Sequence, residues 1–439
     1  MARHLTLPTV GLLAPGPLPW QARLPFFYGW VIVGVAVLMG LMFASLNWVA
    51  LGVFAGPMQD DLGWSRTALF SALTVRTYLA ASLSPLFGRY FDSRNGARVI
   101  STVSGLLTAG NMFMLSTVQT ETQFMLQFGI IGGIVTAGQG GQVAAIVPKW
   151  FVRQRGRSMA WATMGSASAA FLLPPLLAWL IATLGWRGAW VAMGVLVLLL
   201  AGAPALLIRR QPEDIGLRPD GSPEPPPGRA RPPDEHSFTL RQAFRTRTAW
   251  LILAGTSLGG LANGGLPGNM APMLQDQGLG RDAAVLGLTL YGVGSMAGRF
   301  VWSFPADRFH IRWVLMAIAA QGLITTPLLP LLSGPWALLY PVLMGIGIGG
   351  YVGFNQLIWA QYFGRGHLGS ITGVARPAFS LVSGTAPIIL SLSSDLAHAY
   401  APALWFIAGC YGLAALSYLL AAPPKAPVAE AAPAVAVAA

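Results

Sequence analysis

Apolar positions along this chain come in long runs. Each run is close to the 20 or so residues a helix needs to cross a bilayer. Short stretches carrying charges, glycines and prolines separate them. Reading the runs off predicts twelve helical spans, near 27–55, 66–87, 97–117, 123–147, 159–183, 188–208, 248–273, 284–305, 312–332, 336–360, 368–393 and 400–421. The break between the sixth and seventh is longer than the rest. It covers 209–247 and contains Pro-Glu-Pro-Pro-Pro-Gly at 223–228, a composition that cannot bury a core and predicts a mobile linker. The pattern therefore divides the chain into a segment at 1–26, a six-helix bundle at 27–208, a linker at 209–247, a second six-helix bundle at 248–421 and a disordered tail at 422–439. The expected fold class is an all-α integral membrane protein, with twelve transmembrane helices in two pseudo-symmetric six-helix bundles.

Composition narrows the function classes. Hydrophobic residues make up 54% of the 439 and charged residues 10%, with a mean hydropathy of +0.59. A soluble domain carries about 25% charged residues, so a soluble enzyme and a disordered chain are both excluded. The net charge of +12 sits between the apolar runs, which points to orientation in a membrane and not to nucleic acid. One cysteine, Cys410, permits neither an internal disulfide nor a thiolate metal cage. Met1 to Trp20 contains prolines and no apolar core with a cleavage site, so no cleaved secretory signal is expected.

The charges alternate from break to break. One set carries Arg23, then Arg89, Arg94 and Arg98, then Lys149, Arg153, Arg155 and Arg157, then Arg209, Arg210, Arg241, Arg245 and Arg247, then Arg308 and Arg312, then Arg365. The other carries Asp60, Asp61, Glu121, Asp276, Asp282 and Asp395, opposed only by Arg66, Arg187 and Arg281. Positive loops stay in the cytoplasm. Both termini are thus expected there, with the chain multi-pass in the cytoplasmic (inner) membrane.

The two halves rhyme. Asp92 and Asp307 lie 215 residues apart, each followed by spaced arginines. Trp150-Phe151-Val152-Arg153 matches Tyr362-Phe363-Gly364-Arg365 at an offset of 212, and Ser158 with Ser370 and Pro175 with Pro387 share it. A duplicated six-helix unit accounts for all of these. The two prolines read either as paired helix breaks flanking a midplane site or as bends in packed helices.

Gly88-Arg89-Tyr90-Phe91-Asp92, followed by Arg94 and Arg98, resembles the loop signature of the major facilitator superfamily. Phe54 to Arg66, Phe27-Tyr28-Gly29-Trp30 and the run from Trp150-Phe151 to Gly165-Ser166 resemble its bacterial monocarboxylate porter and oxalate/formate antiporter-like branch. The resemblance covers all twelve spans. It implies a major facilitator fold that works by alternating access. Gly88, Asp92, Arg94, Arg98, Asp307 and Arg308 would then latch one face shut, with Asp92 pairing either with Arg94 or Arg98 or with a helix N-terminus.

Three arginines lie inside apolar runs: Arg76 in span two, Arg299 in span eight and Arg376 in span eleven. Each costs about 2.5–3.5 kcal/mol at a helix centre on insertion scales. None of the 15 acids and none of the five histidines falls mid-span. Positive charge without a fixed counter-charge makes an anion site, and a guanidinium fork suits a carboxylate. The resemblance implies that Arg299 engages the substrate carboxylate, and that Arg376 matches a basic residue of oxalate/formate exchangers. Tyr291, eight residues before Arg299, lies close to the same helix face; Asn263, Asn355 and Gln139 are further candidates for the cavity wall. Two departures stand out. Gly56 replaces a lysine of proton-linked monocarboxylate carriers, and Ser295 replaces their aspartate.

These observations predict a secondary or facilitative transporter of small mono- or dicarboxylates, with anion exchange favoured over proton symport. It is expected to be no enzyme, to hold no cofactor or metal, and to act as a monomer in the lipid bilayer. A drug or metabolite efflux carrier is the alternative within transport, and a transporter-like membrane sensor the alternative outside it.

Overall fold

A computed structural model describes residues 20–44, 50–139, 142–221, 237–397 and 399–424. Among these the regular structure is helical throughout. The first half supplies span 1 (Gly29–Ala44 and Ala50–Leu62), span 2 (Arg66–Phe91), span 3 (Gly96–Leu115) and span 4 (Glu121–Phe124 through Gly132–Gln139, then Gln142–Trp150). Spans 5 and 6 form one helical run, Arg155–Val197, broken at Gly185. The backbone there has φ 70°, a left-handed value that turns the chain back at no steric cost to glycine. The second half supplies span 7 (Arg247–Gly259 and Leu261–Asp276), span 8 (Arg281–Val301 and Ser303–Arg308), span 9 (Ile311–Thr325), span 10 (Leu339–Phe354 and Leu357–Phe363), span 11 (Leu368–Ala397) and span 12 (Ala401–Leu420).

Local chemistry starts these helices where the apolar runs begin. The Ser65 hydroxyl accepts from Ala68 N to open span 2, and Thr246 does the same for Ala249 ahead of span 7. Span 4 widens into a π-helical stretch at Met125–Ile131. Pro174 and Pro175 sit inside a helix whose one non-helical residue is Gly185, and span 11 runs helically through position 387. Both prolines therefore fall in continuous helices, and the reading as paired breaks is set aside. In membrane helices the hydrogen bonds that proline removes are made good by neighbouring turns and side chains.

The outside of the bundle is what lipid requires. Trp179, Leu199, Val293 and Ile324 are each more than half exposed, far beyond what water tolerates as a continuous surface. The inside is packed by aromatic pairs such as Phe54 on Trp190, stacked with ring centroids 3.9 Å apart.

The breaks rich in arginine gather on one face. Tyr28 donates to Leu207 O at 2.8 Å, Lys149 bonds Asp92, Arg365 bonds Lys149 O, and Arg312 reaches Ala421 O. On the opposite face Asp61 accepts from Trp186 Nε1 at 3.0 Å and from Arg187 Nη1 at 2.5 Å. Those donors hold its carboxyl below the usual range.

The connection between the halves departs from the expected open linker at both ends. Pro212–Ile215 and Pro219–Gly221 form short 3-10 turns, and Leu240–Phe244 is a helix with a Thr239–Gln242 capping box. The proline-rich 223–228 segment and the tail beyond 424 lie outside the described residues, as do the residues before Trp20.

Candidate functional site

The two halves meet along spans 2 and 11 and along spans 5 and 8. Gly88 packs directly against Gly369 and Gly373, so a side chain there would drive the helices apart. Ser84 Oγ donates to Gly373 O at 3.0 Å across the same seam.

At the basic end of this seam a carboxylate ties the two halves together. Asp92 accepts from Gly369 N at 2.9 Å, from Ser370 N at 2.8 Å and from Ser370 Oγ at 2.9 Å. These donors belong to the N-terminus of span 11, where free N–H groups and the helix dipole favour an anion. Lys149 Nζ adds an ion pair at 3.0 Å, with its side chain 1% exposed. The duplicate position repeats the arrangement. Asp307 accepts from Gly156 N at 2.7 Å at the start of span 5, with Arg157 Nε 3.4 Å away. Burial nevertheless lifts the Asp307 carboxyl above the usual carboxylate range, against the pull of those donors.

So Asp92 takes the helix N-terminus, of the two pairings its sequence allowed. Arg94, Arg98 and Arg308 form no ion pair among the described residues, and Arg94 and Arg308 are exposed. Sequence reasoning missed Lys149, Gly156, Arg157, Gly369 and Ser370. The duplication held a signal: Ser370 pairs with Ser158 at the offset of 212, and Gly156 and Gly369 lie one residue off that register.

Above the latch lies a cavity of ≈ 180 Å³. Gly88, Phe91 and Gly369 line its basic end, and Thr256, Asn355, Trp359, Thr372, Arg376, Phe379 and Ser380 are among its walls. Arg376 makes no hydrogen bond or ion pair with any described residue. The Asn355 side-chain oxygen is buried and equally without a partner. Two of the sequence candidates therefore share this space.

The others are placed elsewhere. Arg299 is 3% exposed and bonds across the halves, Nε to Thr163 Oγ1 at 3.2 Å, and to its own helix at Ser295 O and Oγ. Tyr291 lies within electrostatic range of it. Arg76 is 3% exposed inside the first half and lines no part of the cavity. Gln139 is spent on a 2.5 Å bond to Thr108 Oγ1, a tie between spans 3 and 4. Asn263 stands in span 7, and its side chain is outside the described residues.

A family model described as Major Facilitator Superfamily matches residues 37–387. The chain belongs to the Major Facilitator Superfamily. As a superfamily member it is a multi-pass membrane protein and a secondary transporter of small organic molecules by alternating access, not an enzyme. It is similar to human "Monocarboxylate transporter 11", 27% identical over 366 residues, covering 81% of this chain and 74% of that protein. It is also 28% identical over 229 residues to the "Probable L-galactonate transporter" of Escherichia coli, covering 51% of this chain and 50% of that one. Among solved superfamily structures the proton:xylose symporter XylE superposes with a TM-score of 0.70 at 15% identity, over 90% of this chain and 96% of that one. The human organic anion transporter MFSD10 gives 0.66 at 16%, over 91% and 100%. At those identities the superpositions show the fold alone.

Proposed function

We propose that this transporter carries small organic monocarboxylates or dicarboxylates, and that Arg376 receives the carboxylate in the central cavity. The observation that carries this reading is a cavity guanidinium with no acid beside it among the described residues. A substrate arriving as an anion supplies the missing charge. A cation would meet repulsion, and an uncharged solute would leave the guanidinium unpaired at a cost of several kcal/mol. Asn355 adds a polar contact, and Phe379 and Trp359 provide apolar wall for a short carbon chain. Similarity to proteins named as monocarboxylate transporters supports the same class.

Arg299, held by neutral oxygens across the seam, is a second carboxylate ligand within one exchange of partners. Anion exchange is favoured over proton symport because no histidine or acid lines the cavity among the described residues. The basic face is assigned to the cytoplasm of a cell whose inner membrane holds the chain as a monomer, and the present structure is then closed on that side. Gly88, Asp92 and Asp307 serve that closure.

In proteoliposomes loaded with lactate or oxalate, the chain should exchange labelled carboxylate without a pH gradient. Arg376→Gln should weaken carboxylate uptake 10- to 100-fold, the value of a charge-assisted pair at about 1.5–3 kcal/mol, and Arg376→Lys should recover part of it. Unchanged uptake in Arg376→Gln, or inhibition by a lipophilic cation and not by carboxylates, would remove this reading.

A further inference from the structure

The central cavity holds a second unmet group besides Arg376. Asn355 sits at the break in span 10, between Leu339–Phe354 and Leu357–Phe363, and is 9% exposed. Its neighbours fix which way the amide points. Tyr351, one turn earlier, donates its hydroxyl proton to Thr256 O of span 7. The Tyr351 oxygen is then left to accept, and the Asn355 side chain hydrogen-bonds to it. Only the NH2 end of the amide can make that bond. The carbonyl end, Asn355 Oδ1, stays buried with no partner, in a residue that lines the same cavity as Arg376.

The hydroxyls around it are committed in the same sense. Ser84 Oγ donates to Ala81 O and Gly373 O, Thr256 Oγ1 to Ile252 O, and Thr372 Oγ1 to Leu368 O. Each spends its proton on backbone and keeps lone pairs to offer. Gln356 and Ser380 complete the polar wall and can serve either way. The cavity thus presents one cation and a wall rich in acceptors, with no acid among its lining residues.

A solute that suits this wall brings a negative charge for Arg376 and a hydrogen-bond donor for Asn355 Oδ1. An unsubstituted acid has the charge and no donor. It displaces water from the wall and leaves Oδ1 buried and unpaired. A keto acid sets a further oxygen against it. An amino acid has the donor, but as a zwitterion it brings no net charge to Arg376. A hydroxy acid meets both demands.

We propose that the carboxylates carried by this protein bear a hydroxyl group, and that Asn355 selects them by accepting a hydrogen bond from it. This rests on Arg376 as the carboxylate ligand and narrows that reading.

The test is thermal unfolding of the purified full-length protein at neutral pH and constant ionic strength, titrated with propionate, pyruvate, alanine or lactate. Only the group on the second carbon changes along this series. Lactate should raise Tm saturably, with a midpoint at least about tenfold below those of the other three, the weight of one buried acceptor left unpaired. Asn355→Leu, similar in size and without the amide, should erase that preference, and Arg376→Gln should abolish the response to lactate and propionate alike. Equal midpoints for lactate and propionate, or for lactate and pyruvate, overturn the hydroxyl selection and leave the carboxylate reading standing. A preference for alanine overturns it too, by giving Oδ1 to an ammonium, as does a preference for lactate that survives Asn355→Leu. No response to any of the four removes both readings. Should Asn355→Leu fail to fold, the wild-type series decides.

Discussion

Asp92 shows how one residue's partners set what its charge does. Its carboxylate collects three donors from span 11 and the buried ammonium of Lys149. Removing one member of a buried pair typically costs about 3–5 kcal/mol, because the other is left charged and desolvated. Asp92→Asn should therefore open the basic face. A cysteine introduced as Thr372→Cys, in a Cys410→Ala background, should be alkylated faster from that face in the Asp92→Asn protein. Asp307 behaves differently because burial already opposes its charge. A group whose pKa is raised on folding contributes most while protonated, and that contribution is lost as pH rises through the raised value. Asp307→Asn should thus flatten the pH dependence of Tm just above the ordinary carboxyl value of 3.8. The pairing of Asp92 was only half legible in the sequence. Arg94 and Arg98 were near neighbours along the chain, whereas Gly369 and Ser370 become neighbours only when the halves dock.

At the level of elements, the spans were legible because insertion into lipid is decided by local hydropathy and flanking charge. Their rotation was not. A helix that is apolar all round carries no stripe to say which face turns inward. Arg376 and Arg76 looked alike as charges inside apolar runs, yet one faces the cavity and the other the interior of its own half. The ends of the linker were illegible for a related reason. Its composition is polar and proline-rich, but its ends are ordered by specific contacts. Asp220, with φ 57°, accepts from Val152 N at 3.0 Å, Arg153 N at 2.8 Å and Gln154 N at 3.4 Å. Asp220→Ala removes those acceptors, and with them the side-chain hydrogen bonding that lets an aspartate hold left-handed backbone. The expected outcome is faster proteolytic cleavage within 209–221, with helix content unchanged.

For the whole molecule, the duplication explains why two carboxylates cap two helices in opposite halves. Asp92 of the first half seals the start of span 11, and Asp307 of the second seals the start of span 5. Each closure is built from one residue and one helix end, and each crosses the seam. The stretch after span 6 adds a third crossing. Trp150 Nε1 donates to Arg209 O at 3.1 Å, Arg210 donates to Asp92 O at 3.0 Å, and Asp220 holds the loop ahead of span 5. All three ties stay within the first half. Toward the second half, Glu213 reaches Arg365 at 3.3 Å, and Arg365 in turn donates to Lys149 O at 2.8 Å. The connector is therefore fastened like a strap sewn to one lapel and buttoned to the other. When the bundles swing apart it travels with the first, and the button at Arg365 must come undone before the jacket can open.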